Sequence, residues 1–184
     1  MKLQTVLSST LLACTVATAF ASSAQSQACI EYGGVVAPAS ETRVYRHPQI
    51  GFSFKLPANY RLMAVKNGVE VLDQKTFEWT QCIIRNREPT EFKLASVAVN
   101  ITPVSSEVNL KKLVKIAYPW VNSNFSSITI ANQAALTTSD DDNIWRQRVK
   151  DIYLLSPNKK YLIRISGPAQ GKVLNLALST FVFK

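Results

Sequence analysis

The stretch of sequence that decides the fold covers residues 144–166, IWRQRVKDIYLLSPNKKYLIRIS. Its two halves, 144–155 and 161–166, are the longest β-prone runs of the chain. They are joined by Ser156-Pro157-Asn158-Lys159, which includes proline and asparagine, residues typical of turns. We therefore predict a long antiparallel hairpin, with shorter elements on both sides of it along the chain.

Alternating apolar and polar residues predict further strands at 50–56 and 95–101. Residues 60–66 and 69–73 flank Asn67-Gly68, a dipeptide favoured in two-residue hairpins, so we predict a second hairpin with both turn residues at positive φ. Short strands are expected at 127–131 and 134–138 around Asn132-Gln133, and a last strand at 180–183.

The spacing of Leu110, Leu113 and Val114 predicts an amphipathic helix that ends before Pro119, with lysines 111, 112 and 115 on its other side. Residues 173–178 are typical of a second, short helix, whereas residues 76–85 have no decisive pattern. The apolar positions of these elements predict a core, and the tryptophans are expected in it or at its edge. The core residues are Phe52, Phe54, Val97, Val99, Leu110, Leu113, Ile163 and Ile165, and the tryptophans are Trp79, Trp120 and Trp145.

This order of elements is that of an antiparallel sheet with helices packed on it, an α+β fold. The segments GFSFKLP at 51–57 and LALSTFVF at 176–183 resemble the PsbP-like superfamily, which includes the extrinsic lumenal protein of photosystem II and its cyanobacterial relatives. The resemblance implies a single PsbP-like α/β sandwich domain over 42–184, preceded by a strap at 29–41. It is carried by strand patterns, and no functional residue of that family is matched.

Length and composition fit one globular domain. The chain has 184 residues, 47% of them apolar, and a formal net charge of +9. This composition excludes collagen-like, low-complexity and disulfide-dense classes of protein. A basic surface attracts anionic partners, so an acidic protein surface or an anionic lipid is the expected partner class.

Residues 1–28 have the pattern of a secretory signal peptide. Lys2 precedes an apolar, hydroxyl-rich run at 6–20 that is too short to span a membrane, and small residues allow cleavage after Ala21, Ala24 or Ala28. A second interpretation stays open, because residues 11–14 resemble a lipobox whose Cys14 would carry a lipid. Both interpretations imply export, to a periplasm or a thylakoid lumen, with no transmembrane segment in the mature chain.

Removal of Cys14 with a signal would leave Cys29 and Cys82, an even number of cysteines in an oxidising compartment. We predict a disulfide between them that closes a loop of about 54 residues. One histidine and no Cys/His cluster in the sequence predict no metal site, and no motif predicts a cofactor.

Two features of the sequence are candidates for a catalytic or a metal-binding site. His47, the only histidine, precedes Pro48 and is joined by no nucleophile-elbow motif, so we interpret it as a turn residue rather than a catalytic base. Residues 140–142 are three aspartates, but the residues after them break the spacing of a calcium loop. We expect a solvated polar turn there.

Arg146, Arg148 and Lys150 alternate along the first strand of the long hairpin and therefore project from one face. Ile152 and Leu154 continue that face, so either a bulge changes the facing or the strand runs past the core. The three cations are the candidate electrostatic contact. Nucleic acid is not the expected partner, since no reading module or interleaved stacking aromatics accompany them.

The sequence thus predicts an exported, non-enzymatic accessory or binding protein. Two alternatives remain: a secreted hydrolase with a site assembled from scattered residues, and a lipid-anchored envelope protein that contacts anionic lipid through its basic face. The oligomeric state is left open by the sequence.

Overall fold

The structure is a computed structural model that describes residues 29, 36–87, 95–104, 109–121, 124–142 and 147–184, with the backbone alone at 140–142 and 147. The predicted signal peptide at 1–28, with Cys14, lies outside the described residues, as do Trp145 and Arg146. Within the described ranges, no helix has both the length and the apolar character needed to cross a bilayer.

The strands and helices follow the chain in the order four strands, helix, strand, helix, four strands, helix, strand. Their bounds are β1 Thr42–Arg46, β2 Phe52–Pro57, β3 Tyr60–Val65, β4 Gly68–Asp73, α1 Gln74–Asn86, β5 Val97–Pro103, α2 Leu110–Ala117, β6 Ser126–Ile130, β7 Gln133–Asp142, β8 Gln147–Leu155, β9 Tyr161–Pro168, α3 Lys172–Ser179 and β10 Val182–Phe183.

Four strands, β1 to β4, precede α1, and a single strand separates α1 from α2. The strands form two antiparallel sheets, a seven-stranded one with the order β3-β4-β5-β9-β8-β7-β6 and a three-stranded one with the order β1-β2-β10. The long hairpin predicted from residues 144–166 is β8 and β9, which pair from Leu155↔Leu162 to Val149↔Pro168. The predicted α+β class, with an antiparallel sheet and flanking helices, is confirmed.

The large sheet is covered on both faces. One face packs against the small sheet and α3 in a core that includes Phe52, Phe54, Ile163 and Leu174. The other face carries α2, whose Leu113 and Val114 pack in a second cluster with Tyr153 and Leu162. The predicted core residues are buried, except that Leu110 is half-buried.

Two elements differ from the sequence-based expectation. Residues 42–46 form strand β1, which no pattern predicted because its side chains are exposed apart from the half-buried Tyr45. The indecisive stretch at 76–85 lies in α1, where Asp73 caps the helix by accepting from the backbone N–H groups of Lys75 and Thr76. Its threonines and aromatic residues obscured the helical pattern, because such residues also favour strands.

The turn of the second predicted hairpin lies one residue earlier than expected. Val65 pairs with Gly68, so the loop is Lys66-Asn67, and neither Asn67 nor Gly68 has positive φ. Gly68 is instead required by a close approach, since a Cβ there would lie 1.8 Å from the carbonyl oxygen of Val99 on β5.

Between β6 and β7, the turn also lies one residue before the predicted corner at Asn132-Gln133. Its two residues are Ala131 and Asn132, which have φ values of 50° and 61°. Both angles are positive, as a two-residue hairpin of this kind requires.

The predicted disulfide between Cys29 and Cys82 is present, with the two Cα atoms 5.8 Å apart. It joins the segment before β1 to α1, where Asn86 Nδ2 lies 3.3 Å from the sulfur of Cys29. The same segment is fixed a second time, because the Asn59 side chain donates to the Ala37 carbonyl and accepts from the Ala39 N–H.

We predict that the double variant Cys29→Ser/Cys82→Ser loses about 4 kcal/mol of unfolding free energy, because the bridge restricts an unfolded loop of about 54 residues. Denaturant unfolding of the variant and of the oxidised and reduced wild-type protein measures this loss. The reduced wild type should match the variant. Equal midpoints for the oxidised and reduced proteins would contradict the prediction.

Candidate functional site

A cavity of about 510 Å³ lies where the turn between β1 and β2 meets the ends of the large sheet's strands. The turn between β1 and β2, the β3–β4 hairpin and the ends of β5 and β9 surround it. Its lining residues are Tyr45, His47, Pro48, Gln49, Ile50, Ala64, Val65, Lys66, Asn67, Gly68, Ile101, Pro103 and Tyr161. It is the cavity that contains the single histidine of the chain.

His47 is held by the turn that it starts. Its Nδ1 accepts from the backbone N–H groups of Gln49, at 3.3 Å, and Ile50, at 3.2 Å. The ring also packs on Phe52, with the two ring centroids 4.9 Å apart. The interpretation of His47 as a turn residue therefore agrees with its geometry.

This arrangement fixes the tautomer of the ring. A neutral imidazole has one N–H and one acceptor nitrogen, so with Nδ1 accepting, the proton sits on Nε2. A histidine base in a hydrolase triad uses the opposite arrangement, with Nδ1–H donated to a carboxylate and Nε2 free to take a proton. Burial also lowers the pKa of His47, which favours the neutral ring. His47 is thus arranged as a hydrogen-bond donor at Nε2, not as a base.

A polar network lies on the face of the large sheet that carries α2. The Arg164 guanidinium donates to both carboxylate oxygens of Asp151, at 3.0 and 3.1 Å. The Tyr153 hydroxyl lies 3.3 Å from the same carboxylate, and the Arg164 guanidinium lies 5.2 Å from the centre of the Tyr118 ring. The network ties β8 and β9 to the residue that ends α2.

Burial and the Asp151 charge keep Tyr153 and Arg164 each in one protonation state. Burial, with the negative charge of Asp151, raises the pKa of Tyr153 well above its ordinary value. Burial lowers the pKa of Arg164, but the charge and hydrogen bonds of Asp151 outweigh that effect and raise it. The phenol therefore stays neutral and the guanidinium charged across the range in which proteins are studied, as befits a structural ion pair.

The candidate basic row is described only in part, since Arg146 lies outside the described residues. Arg148 is exposed and Lys150 is half-buried on β8, while Ile152 and Leu154 of the same face lie in the first core. The pairing of β8 with β7 and β9 is continuous from Val149 to Leu154, so the strand runs past the core without a bulge.

Lys150 reaches a second concave region next to α3. This cavity has a volume of about 610 Å³ and lies between the β6–β7 turn and the outer side of α3. Thr129, Asn132, Asn175 and Ser179 supply further polar groups to its lining. A cation and several hydrogen-bonding side chains are thus gathered at this end of β8.

The three aspartates at 140–142 do not form the turn that we expected. They continue β7, where Asp140 pairs with Val149 and Asp142 with Gln147. Their side chains are outside the described residues, so the prediction of no metal site at this position stays a prediction. Among the side chains that the structure does describe, no three metal-binding groups are close enough to share an ion.

One surface was missed by the sequence analysis. Trp79 is buried as expected, but Trp120 is 72% exposed, so its placement in the core or at its edge was wrong. Ile116, four residues earlier, is 68% exposed, and lysines 111, 112 and 115 on the outer side of α2 are exposed as well. The pattern at 110–117 identified the buried side of α2, but it did not indicate that Ile116 and Trp120 are exposed to solvent.

Comparison with known proteins finds likeness of fold only. No family model and no curated protein matches the sequence. Among solved structures, the chain is similar to cyanobacterial PsbP from Synechocystis sp. PCC 6803, with 15% identity and a TM-score of 0.44 over 84% of this chain and 98% of that one.

Two other solved structures are similar at lower identity. LpqN of Mycobacterium tuberculosis, described as involved in cell envelope biogenesis, has 9% identity and a TM-score of 0.48 over 78% of this chain and 91% of that one. A protein of Bacteroides thetaiotaomicron VPI-5482 has 8% identity and a TM-score of 0.45 over 77% of this chain. The match spans about half of the Bacteroides protein, 48% of its length.

We predict that His47 makes the folded state less stable at mildly acidic pH. Its pKa in the folded protein lies below the ordinary 6.5, so the unfolded chain binds more protons, and stability present above that pH is lost as the pH falls. In His47→Asn, the amide oxygen takes the place of Nδ1 as acceptor for the turn but does not titrate.

Unfolding free energies measured from pH 7.5 to pH 5 should therefore decline less steeply for His47→Asn than for the wild-type protein, with similar values at the upper end. His47→Ala serves as the control, because it removes both the acceptor and the titration and should lower stability at every pH. Parallel curves for the wild type and His47→Asn would show that the pKa of His47 is not lowered by folding.

Proposed function

We propose that this chain is an exported, non-catalytic accessory protein that binds a partner with an acidic surface. The disulfide between Cys29 and Cys82 is the observation that carries the proposal. Disulfides form and persist in oxidising compartments and are rare in the reducing cytosol. The signal-peptide pattern at 1–28 supports the same location, a periplasm or a thylakoid lumen.

The geometry of His47 favours a binding role over the alternative of a secreted hydrolase. Acyl-transfer hydrolases commonly use a histidine base, and the only histidine of this chain has Nδ1 occupied by two backbone donors. The His47 ring packs on Phe52 in the turn between β1 and β2 of the small sheet, and its burial there lowers its pKa. The role left for this residue is structural.

The basic end of β8 supports an acidic partner. Arg148 is exposed there, and Lys150 borders a cavity with several polar side chains. Arg146 precedes them in the sequence at the same two-residue spacing. The chain as a whole has a formal charge of +9, which steers an acidic surface toward it before contact. Exposed charges are screened over about 8 Å at physiological salt, so the cations nearest the contact act most strongly on the partner. Asp141, which lies opposite Arg148 in the register of β7 and β8, offsets part of their charge.

Export is tested by expressing the full chain in a bacterium that has a periplasm. We expect a periplasmic protein that has lost its first 21 to 28 residues and whose Cys29 and Cys82 are paired, since both follow from processing in an oxidising compartment. Mass spectrometry without reduction measures both properties. A chain that starts at Cys29 and lacks a leader is the control, and it should stay in the cytosol with two free thiols.

A lipid-anchored product is the alternative outcome of the same experiment. It would appear in the membrane fraction with Cys14 as its modified first residue, and Cys14→Ser would abolish the modification. An unprocessed cytosolic protein with free thiols would overturn the proposal of export.

We predict that Arg146→Glu/Arg148→Glu lowers cross-linking to an acidic partner in extracts of the native compartment at low salt, because it reverses the charge of Arg148 on β8 and of Arg146, two residues earlier in the sequence. A photo-cross-linker at Asn132, which lines the neighbouring cavity, reports the contact. Lys112→Glu/Lys115→Glu makes the same change in net charge on α2 and is the matched control. Equal cross-linking by the two folded variants would show that the β8 cations do not contact the partner.

A further inference from the structure

The outer side of α2 combines features that folding alone does not require. Ile116 and Trp120 are the two most exposed large apolar residues of the described chain, at 68% and 72%. Single exposed apolar residues are common on protein surfaces and need no explanation. Here, however, Ile116 lies in the last turn of α2 and Trp120 follows three residues after the helix ends, next to exposed lysines.

Trp120 contacts the core beneath α2 through Tyr118. The buried Tyr118 packs its ring edge-on against the indole, with the ring centroids 5.7 Å apart. Tyr118 in turn contacts Tyr153 of the second cluster and lies under the Arg164 guanidinium. The exposed indole is therefore in contact with a residue that belongs to the core beneath α2.

The charged residues of the segment that contains Ile116 and Trp120 are all positive. Residues 109–121 contain three lysines, at 111, 112 and 115, and no aspartate or glutamate. Lys111 lies over the Phe125 ring, 5.9 Å from its centre, and Lys115 stands in the last turn of α2. The segment thus combines positive charge with two exposed apolar side chains.

This combination fits a lipid surface better than a protein. Lysine is depleted in protein–protein interfaces, because burying its strongly hydrated ammonium is costly. At a bilayer surface the ammonium groups stay among phosphates and water, while their aliphatic stems lie along the apolar region. Tryptophan is enriched at that depth, where the indole is half in an apolar and half in a polar environment.

We propose that the outer side of α2, with Ile116, Trp120 and lysines 112 and 115, is a contact surface for a bilayer that contains anionic phospholipid. The helix is already folded and attached through Leu113 and Val114, so it lies flat on the bilayer without reorganising. Only one turn and its flank enter the headgroup region, which makes the attachment reversible and sensitive to salt.

The purified, disulfide-bonded chain tests this surface by co-sedimentation with vesicles. We expect binding to vesicles of phosphatidylglycerol and phosphatidylcholine at low salt, weaker binding as salt rises, and little binding to phosphatidylcholine alone. Lys112→Glu/Lys115→Glu should weaken binding roughly 30-fold or more, from the contribution of each lysine near an anionic surface. Trp120→Ser should weaken it without changing its dependence on salt.

Two controls separate the surface from general charge and general hydrophobicity. Arg146→Glu/Arg148→Glu makes the same change in net charge elsewhere, and Val44→Ser removes an exposed apolar residue of β1. Both should weaken vesicle binding far less than the α2 variants do. Thermal unfolding verifies that each variant is folded.

The proposal is overturned if the wild-type chain fails to bind the anionic vesicles, or if the α2 variants bind as tightly as the controls. It goes beyond the proposed function and does not depend on it, because the vesicle measurement uses purified protein. If the chain is exported but does not bind vesicles, the proposed function stands and this proposal fails. If the chain stays in the cytosol but binds vesicles, this proposal stands and the proposed function fails.

Discussion

Strand β9 lies at the centre of the large sheet, and it is stable there only if both faces of the sheet are covered. Its side chains alternate between the two sides, with Ile163 and Ile165 in the first core and Leu162 in the second. The same alternation places Arg164 on the side of α2, where a charge needs a partner because water is largely excluded. Asp151 on the neighbouring strand supplies it. The ion pair is therefore a condition for burying β9 on both faces, and it serves the fold rather than chemistry.

Much of this fold could be predicted because a strand's pattern is local. The long hairpin of β8 and β9 and the buried positions of β2 and β5 follow from runs of residues that lie within one element. What could not be predicted depends on contacts between distant segments. The asparagine-glycine dipeptide predicts a turn from local sequence alone. In the structure, Gly68 is needed because β5 comes so close that a side chain there would meet the carbonyl oxygen of Val99. Strand β1 is mostly exposed, so it carries no apolar alternation to detect.

The candidate site shows the same division. The turn role of His47 was predictable, because the following proline restricts its backbone and the accepting nitrogen bonds residues two and three positions later. The exposure of Trp120 was not, since composition favours burial of an indole and only the packing of Tyr118 beneath it decides which side it faces. Likewise, alternation placed Arg148 and Lys150 on one face, but only the continuous pairing of β8 excluded a bulge.

The two basic surfaces named above lie on opposite sides of the large sheet. Lys150 shares its face with Ile152 and Leu154 of the first core, whereas α2 packs on the other face through the second cluster. A sheet and the layer packed on it are about 10 Å apart, so the two basic surfaces are separated by more than the screening length of about 8 Å at physiological salt. Under the two proposals, each surface would therefore attract an anionic partner with little influence from the other. A chain resting on a bilayer through α2 would still present the basic end of β8 to an acidic protein, so the two contacts do not compete.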